Sequence, residues 1–320
     1  MVLQMTRAAR GSIDRSATLA VALARASVPL AGNFAMAAQL LRLLLLVCCV
    51  VAPLIAAASP TLDRIRDSGT ITFAYRDHAA PFSYTDRDGR VRGYSTELCM
   101  AVAATIQQTL KLPSLKIVWQ PVDAANRLEA VKSGRADAEC GTTTITLSRM
   151  KDVDFSLPIF VDGGSVLVRS KSKIAKLGDL RGRKIAVIGG TTTEQALVAA
   201  FAVLDAQATL VPVTDAAEGA RLLAAGKVDG YAGDRIVLAS IKLNSPAGRD
   251  FALLGNDFSY EPYGIVVRRD DSDFRLAVNR ALVDLYKHGG IDPIFQRWLA
   301  PLGPPGPLLH SMFYLSSLPD

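Results

Sequence analysis

The chain has 320 residues and half of them are hydrophobic, enough for one large or two modest cores and too apolar for a chiefly disordered polymer. The net charge is +6, but residues 1–58 hold five arginines (Arg7, Arg10, Arg15, Arg25, Arg42) against one acid, Asp14, and so carry +4 of it. The rest of the chain carries only +2, which excludes a basic surface built to grip nucleic acid.

Arg42 precedes an apolar run from Leu43 to Ala56, and Ala57-Ala58-Ser59 follows. A cation, a short apolar stretch and small residues mark a secretory signal peptide cleaved near Ala58, which places the mature protein in the periplasm. The run is short for a membrane span; a retained anchor is the alternative. Residues 1–35 exceed a usual signal-peptide head, so Met36 is a candidate start. Cys48 and Cys49 lie inside the apolar run, and Val47 stands where a lipid anchor wants a small residue. Removal of the leader leaves Cys99 and Cys140. Two thiols in an exported chain suggest one disulfide, with two separately buried thiols as the alternative.

Beyond the leader, strands and helices alternate. Ile71–Arg76 reads as a strand, and Ser95–Leu110 as a helix with Leu98, Val102 and Ile106 at helical spacing. Lys116–Pro121 is a strand, Asn126–Ser133 a helix and Ala136–Cys140 a strand. A second set follows: strand Lys184–Ile188, helix Thr193–Leu204, strand Thr209–Val213, helix Asp215–Ala225, strand Val228–Ala232. The class is α/β with mainly parallel sheets. Gly134-Arg135-Ala136-Asp137 in the first set is echoed by Gly226-Lys227-Val228-Asp229 in the second. In each, glycine can end a helix in a left-handed conformation. Ser272–Lys287 and Asp292–Leu299 read as the last helices, and the Pro/Gly-rich tail beyond Pro301 reads as irregular.

Enzyme motifs are scarce. No G-x-S-x-G elbow occurs, and Gly189-Gly190-Thr191-Thr192-Thr193-Glu194 lacks the lysine of a phosphate-binding loop. His78, His288 and His310 lie far apart without cysteine partners, so each reads as a surface or loop residue, and neither a metal nor a cofactor is expected. Arginines stand instead beside strand ends and small hydroxyl residues. Arg76 ends a strand just before Pro81-Phe82-Ser83-Tyr84, Arg127 begins a helix, and Arg149 follows Gly141-Thr142-Thr143-Thr144-Ile145-Thr146. Ligands of open α/β sheets bind beyond the carboxyl ends of the strands. A guanidinium fork matches a carboxylate there, and hydroxyls and helix-start N–H groups complete its hydrogen bonds. Asp234, just past a strand, can accept from an ammonium group. For any single arginine, a solvated or ion-paired surface residue is the alternative. Phe82 is either a cover over a ligand's aliphatic part or a core residue; Trp119 and Trp298 read as core.

From Leu62 to about Leu299 the chain resembles the periplasmic amino-acid-binding proteins of ABC importers, solute-binding family 3, most like the glutamate/aspartate-binding branch. The segments that carry the resemblance are Tyr75-Arg76-Asp77, Pro81-Phe82-Ser83-Tyr84, Gly93-Tyr94-Ser95, Asn126-Arg127, Glu139-Cys140-Gly141-Thr142-Thr143-Thr144, Arg149, Gly190-Thr191-Thr192-Thr193-Glu194 and Tyr231-Ala232-Gly233-Asp234. The resemblance implies a two-lobed periplasmic-binding-protein fold of type II, its lobes joined by two crossover strands. Residues 59–162 with 266–320 would form the first lobe and 163–265 the second, closing on ligand by a hinge.

By the same resemblance, Arg149 clamps the ligand α-carboxylate with Thr144, Thr191 and Thr192. Asp234 and Thr142 receive the α-ammonium, and Arg76 and Arg127 meet the side-chain carboxylate. Two departures loosen the distal end: Asp215-Ala216-Ala217 lacks the histidine that this branch often carries, and Ala124 stands where a hydroxyl residue is usual. Glutamate and aspartate therefore both remain open, as does a larger dicarboxylic amino acid. The implied role is binding without catalysis, as a monomer that delivers its ligand to an inner-membrane ABC permease. The alternatives are a dehydratase on the same fold, with Glu139 or Glu194 as general acid, and a ligand-sensing module of a receptor.

Overall fold

The computed structural model describes residues 59–319. The leader, with its expected cleavage near Ala58 and with Cys48 and Cys49, lies outside the described residues.

Helix α1 (Pro60–Ser68) starts at a Ser59 cap, whose hydroxyl accepts from the Leu62 N–H, and ends at Gly69 with φ of 60°. Then come β1 (Thr70–Arg76) and a small meander of β2 (His78–Ala79), β3 (Ser83–Thr85) and β4 (Val91–Arg92). Helix α2 (Tyr94–Thr109) leads to β5 (Lys116–Val122), and α3 (Arg127–Lys132) leads to β6 (Ala138–Glu139); both strands lie parallel to β1, one on each side. Next, β7 (Val153–Asp162) runs almost directly into β8 (Gly164–Arg169) of a second sheet. There β9 (Lys184–Ile188), α4 (Thr192–Val203), β10 (Thr209–Val213), α5 (Ala216–Ala224) and β11 (Gly230–Asp234) repeat the alternation. After α6 (Arg235–Asn244) and β12 (Phe251–Leu253), β13 (Glu261–Arg268) returns to the first sheet. Helices α7 (Ser272–Lys287), α8 (Ile291–Trp298) and α9 (Pro307–Ser316) follow.

The two five-stranded sheets have the orders β5-β1-β6-β13-β7 and β10-β9-β11-β8-β12. Four strands of each run in one direction, and one strand enters antiparallel between neighbours: β13 in the first, β8 in the second. Each sheet is therefore mixed. The inserted strands are those that arrive from the other sheet, so their direction is set by the crossing and not by a helical return.

The short sequence echo has a physical basis. Gly134 and Gly226 adopt φ of 77° and 68°. Three residues on, Asp137 accepts from the Thr72 N–H at 2.7 Å while its own N–H donates to the Thr72 carbonyl at 2.7 Å. Asp229 does the same to Lys184, at 3.0 and 2.7 Å. Each aspartate thus pins the start of its sheet's central parallel strand.

The first core joins Ile71 and Phe73 of β1, Leu98, Val102 and Ile106 of α2, and Phe274 and Val278 of α7. The second joins Val166 and Val168 of β8, Ile185 and Val187 of β9, and Leu197 and Phe201 of α4. Phe82 is a core residue, packed edge-on against Tyr94, Phe160 and Tyr263. Trp119 packs against Phe73 and Tyr75.

One expectation is overturned. The tail beyond Pro301 is not irregular throughout, because α9 buries Leu309 and Met312 at helical spacing. Pro307 sits at its first turn, where the missing N–H costs nothing, so proline here starts a helix and does not forbid one.

Cys99 of α2 and Cys140, which follows β6, are joined in a disulfide with a sequence separation of 41. Closing such a loop in the unfolded chain is worth about 4 kcal/mol in the chain-entropy account. Cys99→Ala with Cys140→Ala is expected to lose most of that, measured by denaturant unfolding against the oxidised parent.

Candidate functional site

The carboxyl ends of β1, β6, β9 and β11 converge on one cleft, and they carry the site with them. Arg76 is the last residue of β1, and Arg127 is the first of α3. Thr142 and Thr144 lie in the loop after β6. Thr191 caps α4: its hydroxyl accepts from the Glu194 N–H at 3.1 Å and donates to the Ile188 carbonyl at 2.7 Å. Thr192 opens that helix, whose first-turn N–H groups have no acceptor within it. Asp234 is the last residue of β11 and stands before α6.

Together Arg76, Arg127, Thr142, Thr144, Thr191, Thr192 and Asp234 line one tight cavity of about 40 Å³. That is well below the usual volume of a small-ligand pocket, so a ligand needs the two halves of the cleft to part further or has to extend into the neighbouring groove. Arg149 is not among its lining residues. It stands one step back, donating to the Thr144 carbonyl at 2.8 Å. A wider groove of about 740 Å³, open to solvent, shares His78, Ala216 and Val237 with the cavity and continues past Tyr84 and Trp298. The groove is larger, but the charged chemistry is in the smaller cavity.

The electrostatics are unusual. Arg76 is 6% exposed and Arg127 3% exposed. Among the described residues neither guanidinium meets a carboxylate at ion-pair distance or a hydrogen-bond acceptor, and Arg127 Nε is fully buried without a partner. Burial first, and the neighbouring Arg76 charge second, pull Arg127 down to about 9; at neutral pH it remains a cation. Glu139 lies behind the pair, fully buried, with neither oxygen hydrogen-bonded. Its burial raises its pKa, against the pull of Arg127. Gly141 makes that packing possible, since a Cβ there would fall 2.1 Å from Glu139 Oε1 and 2.9 Å from the Arg76 side chain. Two cations are thus held ready in a dry setting, where a missing counter-charge is costly.

In the same cavity, Asp234 accepts from the Thr193 hydroxyl at 2.9 Å. Burial first and the Glu261 charge second push its pKa up, so a cation beside it would relieve the strain. Arg149 is pulled down by burial.

Asp162 ends β7 beside this cluster. Its carboxyl accepts from the N–H groups of Gly163 (2.8 Å) and Ile236 (3.1 Å) and from the Tyr263 hydroxyl (3.2 Å). Burial, and next the Asp234 charge, push it up to about 8. The folded protein therefore holds this proton more tightly than the unfolded chain, where the carboxyl titrates near 3.8. The stabilisation is complete below that value and is lost as pH rises through about 8. Asp162→Asn is expected to flatten this fall of stability with pH, measured by denaturant unfolding at several pH values between about 5 and 9.

Several residues of the cleft were not singled out from sequence. Thr193 and Tyr263 hold the acids in place, and Glu261 accepts from both Thr144 and Thr192. His78, read as a surface or loop residue, is exposed but lines both the cavity and the groove. Ala216 lines the cavity where the resemblance expected a histidine nearby, and Ala124 does not line it. A charged residue at the head of the otherwise apolar run Tyr263–Val267 was the available signal for Glu261.

The model for bacterial extracellular solute-binding proteins, family 3, matches residues 71–301. An L-glutamate/L-aspartate-binding protein of Pseudomonas aeruginosa is 33% identical over 258 residues, covering 80% of this chain and 85% of that protein. A glutamate/aspartate import solute-binding protein of Escherichia coli is 28% identical over 249 residues, covering 78% and 82%. Among solved structures, an ancestral arginine-binding protein bound to glutamine superposes with a TM-score of 0.64 at 32% identity, covering 72% of this chain and 98% of that one. An ancestral amino acid-binding protein described as a precursor of cyclohexadienyl dehydratase gives 0.65 at 29% identity, covering 74% and 99%. The fold they share is two-lobed, and the matching relatives named here are binding proteins, not enzymes. This chain belongs to the bacterial extracellular solute-binding proteins of family 3.

Proposed function

We propose that the chain binds a free acidic amino acid, glutamate or aspartate, outside the cytoplasm and hands it to an ABC permease of the inner membrane. The observation that carries the reading is the pair of buried guanidiniums, Arg76 and Arg127, which have no hydrogen-bonded or ion-paired partner among the described residues and only Glu139 behind them as counter-charge. Two desolvated cations in one cavity call for an anion, and a ligand side-chain carboxylate supplies it. Asp234, in the same cavity, suits an α-ammonium; Thr142 adds a hydroxyl. Arg149 and the first-turn N–H groups of α4 would take the α-carboxylate. The names of the similar proteins of Pseudomonas aeruginosa and Escherichia coli point the same way.

In this reading residues 59–162 with 266–320 form one lobe and 163–265 the other, the leader is removed near Ala58, and the protein acts as a monomer. Beside Ala216 and His78 the cavity meets the wider groove, so neither acid is favoured by a closed wall there.

A panel of the common amino acids, scored by the melting temperature of ligand-stripped protein, tests the assignment. A ligand at about a hundred times its Kd adds about 2.7 kcal/mol of stability. Glutamate and aspartate are expected to give the largest shifts. A larger shift with arginine, or with a neutral amino acid, would remove the acidic assignment.

A further inference from the structure

Glu261 opens β13, the strand that returns from the second sheet to the first, and is 1% exposed. A carboxylate so buried is costly unless its oxygens find donors. Here both do. Oε2 accepts from the Thr144 hydroxyl at 2.6 Å and the Thr192 hydroxyl at 2.8 Å, and Oε1 accepts from the Ser259 hydroxyl at 2.7 Å. Thr144 follows β6 of the first sheet, and Thr192 opens α4 beside the second. One carboxylate oxygen therefore holds a hydroxyl from each half of the cleft, and the two hydroxyl oxygens stand 3.1 Å apart.

A hydroxyl has one proton to give. With those protons committed to Glu261, Thr144 and Thr192 cannot also donate from their side chains to a ligand carboxylate. What they offer the cavity is lone pairs and backbone N–H groups. Glu261 itself is not among the residues lining the cavity.

We propose that Glu261 is a clasp, tying the two halves of the cleft together and holding a closed form of the protein before any ligand arrives. The affinity of a binder whose competent form is only partly populated scales with that population. The part of this inference that concerns affinity rests on the amino-acid-binding reading; the ligand-free part does not.

The test uses the full chain, the parent and Glu261→Gln, with solution scattering of ligand-free protein and titration with glutamate and aspartate. The variant is expected to be more open without ligand, with a larger radius of gyration. Affinity for both amino acids is expected to fall by the same factor, about tenfold or more. Thr192→Val removes one donor and keeps the helix-start N–H; it is expected to act in the same direction and to add little to Glu261→Gln. An unchanged ligand-free scattering profile in both variants overturns the clasp whatever the affinities do. A loss confined to one of the two amino acids overturns it as well, since it would mean that Glu261 touches ligand. If the parent binds neither amino acid, the binding reading fails and the scattering comparison still decides. If Glu261→Gln does not fold, Thr192→Val decides.

Discussion

Arg127→Met is expected to make the ligand-free protein more stable and to cost it most of its affinity for glutamate and aspartate. The two effects share one cause. Arg127 is a buried cation with no hydrogen-bonded or ion-paired partner among the described residues, and the charges of Glu139 and Asp234 offset its desolvation only in part. An apolar side chain of similar reach relieves what remains; replacing whole buried ion pairs has stabilised proteins by about 1–4 kcal/mol, and because Glu139 stays behind the gain here is expected at the low end, about 1 kcal/mol. In a fold of this size that amounts to a few degrees in melting temperature. The ligand's side-chain carboxylate, meanwhile, loses a charge-assisted partner worth about 1.5–3 kcal/mol, and more where a fork makes two bonds. Acidic amino acids should therefore weaken by about tenfold to a hundredfold or more, while glutamine changes far less. Melting curves and titrations on one preparation check both signs. An equal loss for acids and amides would place Arg127 at the α-carboxylate instead.

Arg149→Ala is expected to abolish measurable binding of every amino acid, because the α-carboxylate is common to all. Arg149 donates to the Thr144 carbonyl and lies within electrostatic reach of Glu139, Glu261 and Asp234. That carbonyl bond fixes the guanidinium and leaves its remaining N–H groups for a ligand. A bidentate charge-assisted pair is worth about 3–6 kcal/mol, or a hundredfold to ten-thousandfold in affinity. Arg149→Lys should restore little: a point charge on a flexible stem does not reproduce the fork. Retention of glutamate affinity within a few fold in Arg149→Ala would assign the α-carboxylate to the α4 amides alone.

Much of this was legible in the residues. The left-handed glycines and following aspartates of Gly134–Asp137 and Gly226–Asp229 marked two similar halves, and the aspartates pin the equivalent strands Thr70–Arg76 and Lys184–Ile188. Arginines at strand and helix ends pointed to the cleft because element termini are local features. What was not legible depends on distant partners. The crossing strands β7, β8 and β13 owe their direction to pairings across the chain, and periodicity does not encode that. The proton of Thr144 goes to Glu261, 117 residues away, so its hydroxyl could not be assigned to ligand or to protein by inspection. The tail helix was hidden because proline and glycine are breakers inside a helix but starters at its first turn.

The most direct test of the central claim is a calorimetric titration of refolded, ligand-free protein against glutamate, aspartate, glutamine and asparagine. Refolding strips any ligand carried through purification. Micromolar or tighter affinity, about −8 kcal/mol or better, is expected for the two acids and much weaker binding for the two amides. Amides that bound as tightly as the acids, or no binding by any of the four, would contradict it.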